Sequence, residues 1–227
     1  MRDNLPEPPE APEHLERFAA QVAHDFNNLL TGILGNLELM QHRAARSGNN
    51  SFDGYLEGAR NAGGRAARFS QRLLAFAGRA SQSASAQPLG RIIRETAEPL
   101  IEQGLNVNLS LKGEDASVLC DLGQAELALN ELLRNAAEAT AQGGQIFVES
   151  DVSGGEVVIR VRDTGYGMTP ETLARATEAF FTTRSNGTGK GLGLPIAARF
   201  ARQAGGTLHI ESSPGAGCTV TLTLSRA

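Results

Sequence analysis

Four short segments of this 227-residue chain bring together residue types whose spacing could do chemistry. The first is His24-Asp25-Phe26-Asn27-Asn28. Imidazole titrates near pH ~6.5, so one ring nitrogen is free to attack an electrophile such as phosphorus. A carboxylate that takes the proton of the other nitrogen makes the attacker more basic, and Asp25 is the neighbour available for this. The second segment runs from Asn130 to Ala139 and sets Glu131 and Asn135 one helical turn apart on one face. The amide oxygen of Asn135 is a hard ligand suited to Mg2+, and Glu131 could position or deprotonate a water. In the third, Asp163-Thr164-Gly165-Tyr166-Gly167, glycines at a strand end let backbone approach a planar ligand while the carboxylate accepts from an exocyclic amine such as adenine N6. The fourth is Gly187-Thr188-Gly189-Lys190-Gly191-Leu192-Gly193. Alternating glycines ahead of a helix expose several N–H groups, and the positive end of the helix dipole, to a phosphate chain. It lacks the Gly-x-x-x-x-Gly-Lys-Ser/Thr spacing of a Walker loop, and the parallel βαβ context of a dinucleotide fingerprint is missing. Between the last two segments, Phe180 to Asn186 reads as a lid over bound nucleotide. Taken singly, each segment also has a plainer reading: a surface histidine, a solvated helix pair, a tight turn.

Two kinds of element must carry these segments. From Pro12 to Met40, Leu15, Ala19, Val22, Phe26, Leu29, Ile33, Leu37 and Met40 recur at steps of three and four, which predicts a long amphipathic helix. Turn residues follow at 47–51, and Leu56, Ala59, Gly63, Ala66, Ser70, Leu73 and Ala77 then mark a second helix. One hairpin offers a narrow seam and little core, so two copies are expected to pair as a dimeric four-helix bundle. His24 falls between Val22 and Phe26 and is expected to point away from that seam. Residues 1–12 are expected as a disordered or linker N-terminus, 13–80 as the hairpin, 81–87 as a polar linker, and 88–227 as a second domain. There, helical patterns near 89–103 and 122–141, the latter capped by Asp121, mix with strand patterns at 107–111, 146–152, 157–161, 208–210 and 220–224. Two strand pairs read as hairpins, so the fold class is α+β with a mixed sheet covered by helices on one face.

Composition narrows the class. Hydrophobic residues make up 41% and charged residues 20%, ordinary for a globular protein. A net charge of −4 gives no basic stripe of the kind nucleic acid would need. Cys120 and Cys218, in apolar strand-like stretches, read as free thiols without metal-ligand spacing. No apolar run reaches the roughly 18 residues that span a bilayer, and the start of the chain does not read as a signal peptide, so a cytoplasmic location is expected.

In this order the segments resemble the sensor histidine kinases of two-component systems: an H box at His24, an N box at Asn135, a first glycine box at Asp163 to Gly167, an F box at Phe180 and a second glycine box at Gly189 to Gly193. The resemblance covers about residues 13 to 224. It implies a dimerisation and histidine-phosphotransfer hairpin followed by a Bergerat-type ATP-binding domain. On that resemblance His24 takes the γ-phosphoryl of MgATP and passes it to an Asp of a response-regulator receiver domain. Asn135 would hold Mg2+, Asp163 would read adenine, and the glycine box with Thr188, Lys190 and Leu192 would line the phosphates. Asn28 would orient water for phosphatase action on the regulator. Three positions depart from the pattern. Glu131 stands where many members have Asn, and Bergerat ATPases use Glu there as general base. Glu138 stands where many carry a Lys toward the phosphates, with Arg134, Arg184 and Lys190 as substitutes. The proline that often follows the H box is missing, which predicts a less kinked first helix. Two other functions are a phosphotransfer adaptor with an inactive kinase-like domain and a Bergerat-type ATPase.

Overall fold

The computed structural model describes residues 13–47, 53–77, 83–141, 143–184 and 191–227. The expectations for residues 1–12 and for the turn after Ser47 lie outside them. The chain divides into two compact units, Ala11–Ala80 and Ser81–Ala227.

The first unit is a hairpin of α1 (Glu13–Ser47) and α2 (Asp53–Phe76). Helix α1 extends one to two turns past Met40 and runs without interruption through Leu29-Leu30-Thr31-Gly32, as the missing proline predicts. The hydroxyl of Thr31 donates back to the carbonyl of Asn27 at 2.9 Å, satisfying its polar group inside the helix. The seam within one chain differs from the expected stripe. Leu30 is buried, and Leu34 lies against Gly63 of α2, where an added Cβ would sit 2.5 Å from Leu34 Cδ2. Phe26, Ile33 and Met40 of the expected stripe are 42%, 53% and 56% exposed. The apolar surface of α1 is thus wider than one helix can cover, because steps of three and four fill two neighbouring faces.

The second unit contains β1 (Ser85–Pro88), α3 (Leu89–Glu102), β2 (Val107–Leu111), β3 (Ser117–Cys120), α4 (Leu122–Ala139), β4 (Ile146–Ser153), β5 (Glu156–Asp163), α5 (Pro170–Arg175), α6 (Gly193–Gln203), β6 (Thr207–Ser212) and β7 (Cys218–Ser225). Five strands form one sheet in the order β2-β4-β5-β7-β6, parallel between β2 and β4 and antiparallel elsewhere. The mixed α+β sheet expected from the pattern is the one observed. Ser153 pairs with Glu156 across Gly154 and Gly155, at φ 61° and 86°. Two successive positive-φ residues give the twist a two-residue hairpin needs, and glycine adopts them without a Cβ clash.

Alternation decides which face is inside. Val148, Val161 and Val220 form one cross-strand row, and Ile159 and Leu222 part of the next, all buried beneath α4 and α6. Fully burying each such side chain contributes about 1.5–3 kcal/mol. The opposite face is polar; Arg162 covers the ring of its register partner Phe147 at 4.1 Å.

The expected linker at 81–87 is in part a strand: Ser85–Pro88 pairs antiparallel with β3, Ser85 opposite Cys120. Its composition gives no alternation, and pairing comes from β3, whose Val118 and Cys120 are rooted in the core.

Candidate functional site

The site grows from α4. Its start is fixed by Asp121, whose carboxylate accepts the N–H of Gln124 at 3.0 Å, a cap worth about 1 kcal/mol. Leu129, Leu132, Leu133 and Ala136 bury one side of the helix against the sheet. That fixes the rotation of α4, so Glu131 and Asn135 face the start of α6. A Cβ built on Gly193, the first residue of α6, would lie 2.8 Å from Asn135 Nδ2 and 2.9 Å from Glu131 Oε2. The missing Cβ leaves that space to the ends of both side chains. Leu192, at the N-cap of α6, has no polar side chain to accept from the first N–H groups of the helix. An uncapped helix start presents N–H groups and partial positive charge, a setting for an anion.

Glu131 is 4% exposed and its carboxylate accepts from the Arg134 guanidinium. Arg134 also approaches Glu138 at 3.9 Å, and Glu138 pairs with Arg184. The amide oxygen of Asn135 and the Glu131 carboxylate are hard oxygen donors brought to one point, a donor set that fits Mg2+. Among the described residues no cluster of three or more His, Cys, Asp or Glu could hold a metal by itself. A cation here would share its coordination with a ligand's own oxygens.

The second part of the site lies at the end of β5. Asp163 is 5% exposed and accepts the N–H of Gly165 at 2.8 Å. Burial raises its carboxyl pKa above the usual carboxylate range, opposed by hydrogen bonds from the backbone of Gly165 and Cys218. A Cβ on Gly165 would meet the carbonyl oxygen of Ala139 at 2.4 Å, so glycine lets this turn close onto the end of α4. Gly167 has φ 66° and lies against the Ser213 carbonyl, where a Cβ would approach to 2.0 Å. Ser212, which had given no sequence signal, ties the turn together. Its hydroxyl accepts from Met168 N at 2.9 Å and donates to the Gly217 carbonyl at 2.7 Å.

Phe180 and Gly191 bracket the expected lid. Phe180 N–H donates to the Gly191 carbonyl at 2.8 Å, and both residues have left-handed backbone, φ 66° and 64°. For Phe this conformation is strained by about 1–3 kcal/mol, held here by its surroundings. Phe181 anchors the segment beneath Arg175, whose guanidinium stands 4.0 Å from the ring centre. Leu192, also expected in the ATP-binding set, is completely buried. Thr188, Gly189 and Lys190 lie outside the described residues. His24, Asp25 and Asn28 belong to α1 in the other unit, and their side chains also lie outside the described part. Cys120 and Cys218 are free thiols, raised by burial to pKa values of about 11 and about 12.

Comparison with known proteins covers both units. Residues 14–81 match the His kinase A phospho-acceptor domain. Residues 120–227 match the family described as histidine kinase-, DNA gyrase B- and HSP90-like ATPase. The sensor kinase CckA of Brucella abortus is 33% identical over 92% of this chain and 24% of that protein. The sensor protein FixL of Bradyrhizobium diazoefficiens is 27% identical over 92% of this chain and 43% of its own length. The chain therefore spans less than half of these curated relatives. Full-length ShkA, solved in complex with AMPPNP, superimposes with a TM-score of 0.73 at 25% identity, over 93% of this chain and 46% of that one.

Proposed function

This chain belongs to the sensor histidine kinases of two-component systems, and from that premise we propose that it binds MgATP in the Ser81–Ala227 unit and phosphorylates His24. The observation that carries the reading is the convergence of Asn135 and Glu131 on Gly193 at the start of α6, where Leu192 offers no side-chain cap. This arrangement suits a polyphosphate: N–H groups for its oxygens from one element, hard ligands for its counter-cation from the other. Asp163, at the end of β5, supplies the acceptor for the adenine amine, and Gly165 and Gly167 let the backbone of its turn pack closely against Ala139 and Ser213. Asn135 would hold Mg2+, which would supply neutralisation of the phosphate charge.

Phosphoryl transfer asks the protein for position and charge compensation more than for covalent chemistry. A ring nitrogen of His24 donates its lone pair to the γ-phosphorus. The bond from that phosphorus to the β–γ bridging oxygen breaks, and ADP leaves with the electron pair. The proton on the other ring nitrogen passes to the Asp25 carboxylate, keeping the phosphoimidazole from carrying an extra positive charge. An Asp carboxylate of a receiver domain then takes the phosphoryl group. Asn28 orients water for the opposing phosphatase reaction, in which water attacks the receiver's phospho-aspartate, the phosphorus–carboxylate oxygen bond breaks and inorganic phosphate leaves. We place the reaction in the cytoplasm; among the described residues no helix is long and apolar enough to cross a membrane. Phe26, Ile33 and Met40, exposed on one hairpin, are the surface a second copy covers in the dimer.

Asn135→Ala tests the metal role. With γ-labelled ATP and Mg2+, its labelling rate is expected to fall about 10- to 100-fold, the usual loss for a disturbed metal site. Labelling at the parent rate would remove Asn135 from that role.

A further inference from the structure

The face of α4 that carries Glu131 holds further charges beyond the pair that meets Gly193. Glu131, Arg134 and Glu138 lie on successive turns, and Arg184, from the F-box segment, joins them through Glu138. Two carboxylates and two guanidinium groups balance each other. Burial lowers the Arg184 pKa most, the positive charge of Arg134 lowers it further and Glu131 opposes, so these charges act on one another at close range. The two pairs differ in burial. The difference lies in the carboxylates: Glu131 is 5% exposed beside an Arg134 that is 35% exposed, whereas Glu138 is 34% exposed beside an Arg184 that is 23% exposed.

We infer that Glu138 is a resident counter-anion for Arg184, displaced when nucleotide phosphates enter, so that Arg184 exchanges a carboxylate for a phosphate oxygen. The inference rests on the ATP-binding reading. A carboxylate in a phosphate site repels its ligand unless a cation answers it, and Arg184 answers it here. Guanidinium binds carboxylate and phosphate through the same planar fork, so the exchange conserves its hydrogen bonds. The partly exposed Glu138 carboxylate regains water when it leaves its partner, whereas the buried Glu131 carboxylate would not, so Glu131 keeps Arg134. The backbone is prepared for a local exchange. The segment carrying Arg184 is held at its base by Phe180 and Gly191 and at Phe181 by Arg175, so the side chain can swing without moving the loop's anchor. Glu138 thereby sets how tightly the phosphates are held and leaves adenine recognition alone.

The test is binding of MgATP and of adenosine to the whole chain and to Glu138→Gln, Arg184→Gln and the double variant. Glu138→Gln is expected to bind ATP about two- to fivefold tighter, the range a partly exposed ion pair can supply. Arg184→Gln should bind it about tenfold more weakly through loss of a charge-assisted bond. The double variant should match Arg184→Gln, since no cation remains to be released. Adenosine affinity should be the same in all four. Unchanged or weaker ATP binding by Glu138→Gln overturns the inference. Equal tightening in the Arg184→Gln background does too, because it reports general charge removal. Loss of adenosine affinity in Glu138→Gln would make Glu138 structural and equally overturn it. If the unsubstituted chain binds neither ligand, the ATP reading itself fails.

Discussion

His24→Ala is expected to leave ATP affinity unchanged and to abolish the acid-labile, base-stable label that γ-labelled ATP places on the protein. The two effects separate because acceptor and nucleotide site belong to different units of the chain. Four histidines are present, at positions 14, 24, 42 and 209. His209 sits on the polar face of the sheet, within β6. His14 precedes Leu15 and His42 precedes Arg43, whereas His24 alone is followed directly by a carboxylate, Asp25. Only there does a proton acceptor follow directly on the nucleophile, a pairing worth roughly 10²–10⁴ in rate for general base catalysis. Label retained in the variant would move the acceptor to another residue.

Asp163→Asn should weaken adenine-nucleotide binding about a hundredfold, because a charge-assisted acceptor is replaced by an amide that offers N–H groups to an amine. The same change should raise stability at neutral pH. Burial lifts the Asp163 pKa above its unfolded value, so between the two values the folded chain holds more protons than the unfolded one. Stability therefore falls as pH rises from the usual carboxylate range through the raised pKa. Above it the ionised group stands buried at a cost, which Asn does not incur. Melting curves should show the variant above the parent at pH 7, with the gap closing as pH is lowered through that window. A variant that binds nucleotide normally would remove Asp163 from the adenine role.

The elements that carry the site were readable because their periods are clean. Val157, Ile159 and Val161 alternate along β5, and the apolar positions of α4 follow a 3.6-residue repeat with Asp121 ahead of it. Strand β1 was not readable, since Ser85-Ala86-Gln87-Pro88 has no alternation and is ordered by its neighbour. The short α5 does carry a signal, Thr169 as cap and Pro170 in the first turn, but one turn of helix leaves no period to detect. The same division runs through the site. Glu131 and Asn135 share a face at a spacing visible in one dimension, whereas their meeting with Gly193 depends on how α4 packs on α6. The pairing of Glu138 with Arg184 joins a helix to a distant loop, and opposite charges so far apart in sequence carry no pattern. Leu192 shows the converse. It sits inside a ligand-binding pattern, yet its apolar side chain is fully buried, which the pattern of alternating glycines does not foretell.

Glu131 gives the central claim its sharpest alternative, since a buried carboxylate beside the phosphate site could direct water at ATP instead of leaving the γ-phosphoryl group for His24. One measurement separates the two: a single turnover of MgATP on the unsubstituted chain, quenched in base, with phosphohistidine on the His24 peptide and free phosphate quantified together. Transfer predicts phosphohistidine at His24 appearing in step with ADP, with free phosphate lagging behind it. ADP and free phosphate rising together, with no phosphohistidine, would contradict the account and make the protein a nucleotide hydrolase.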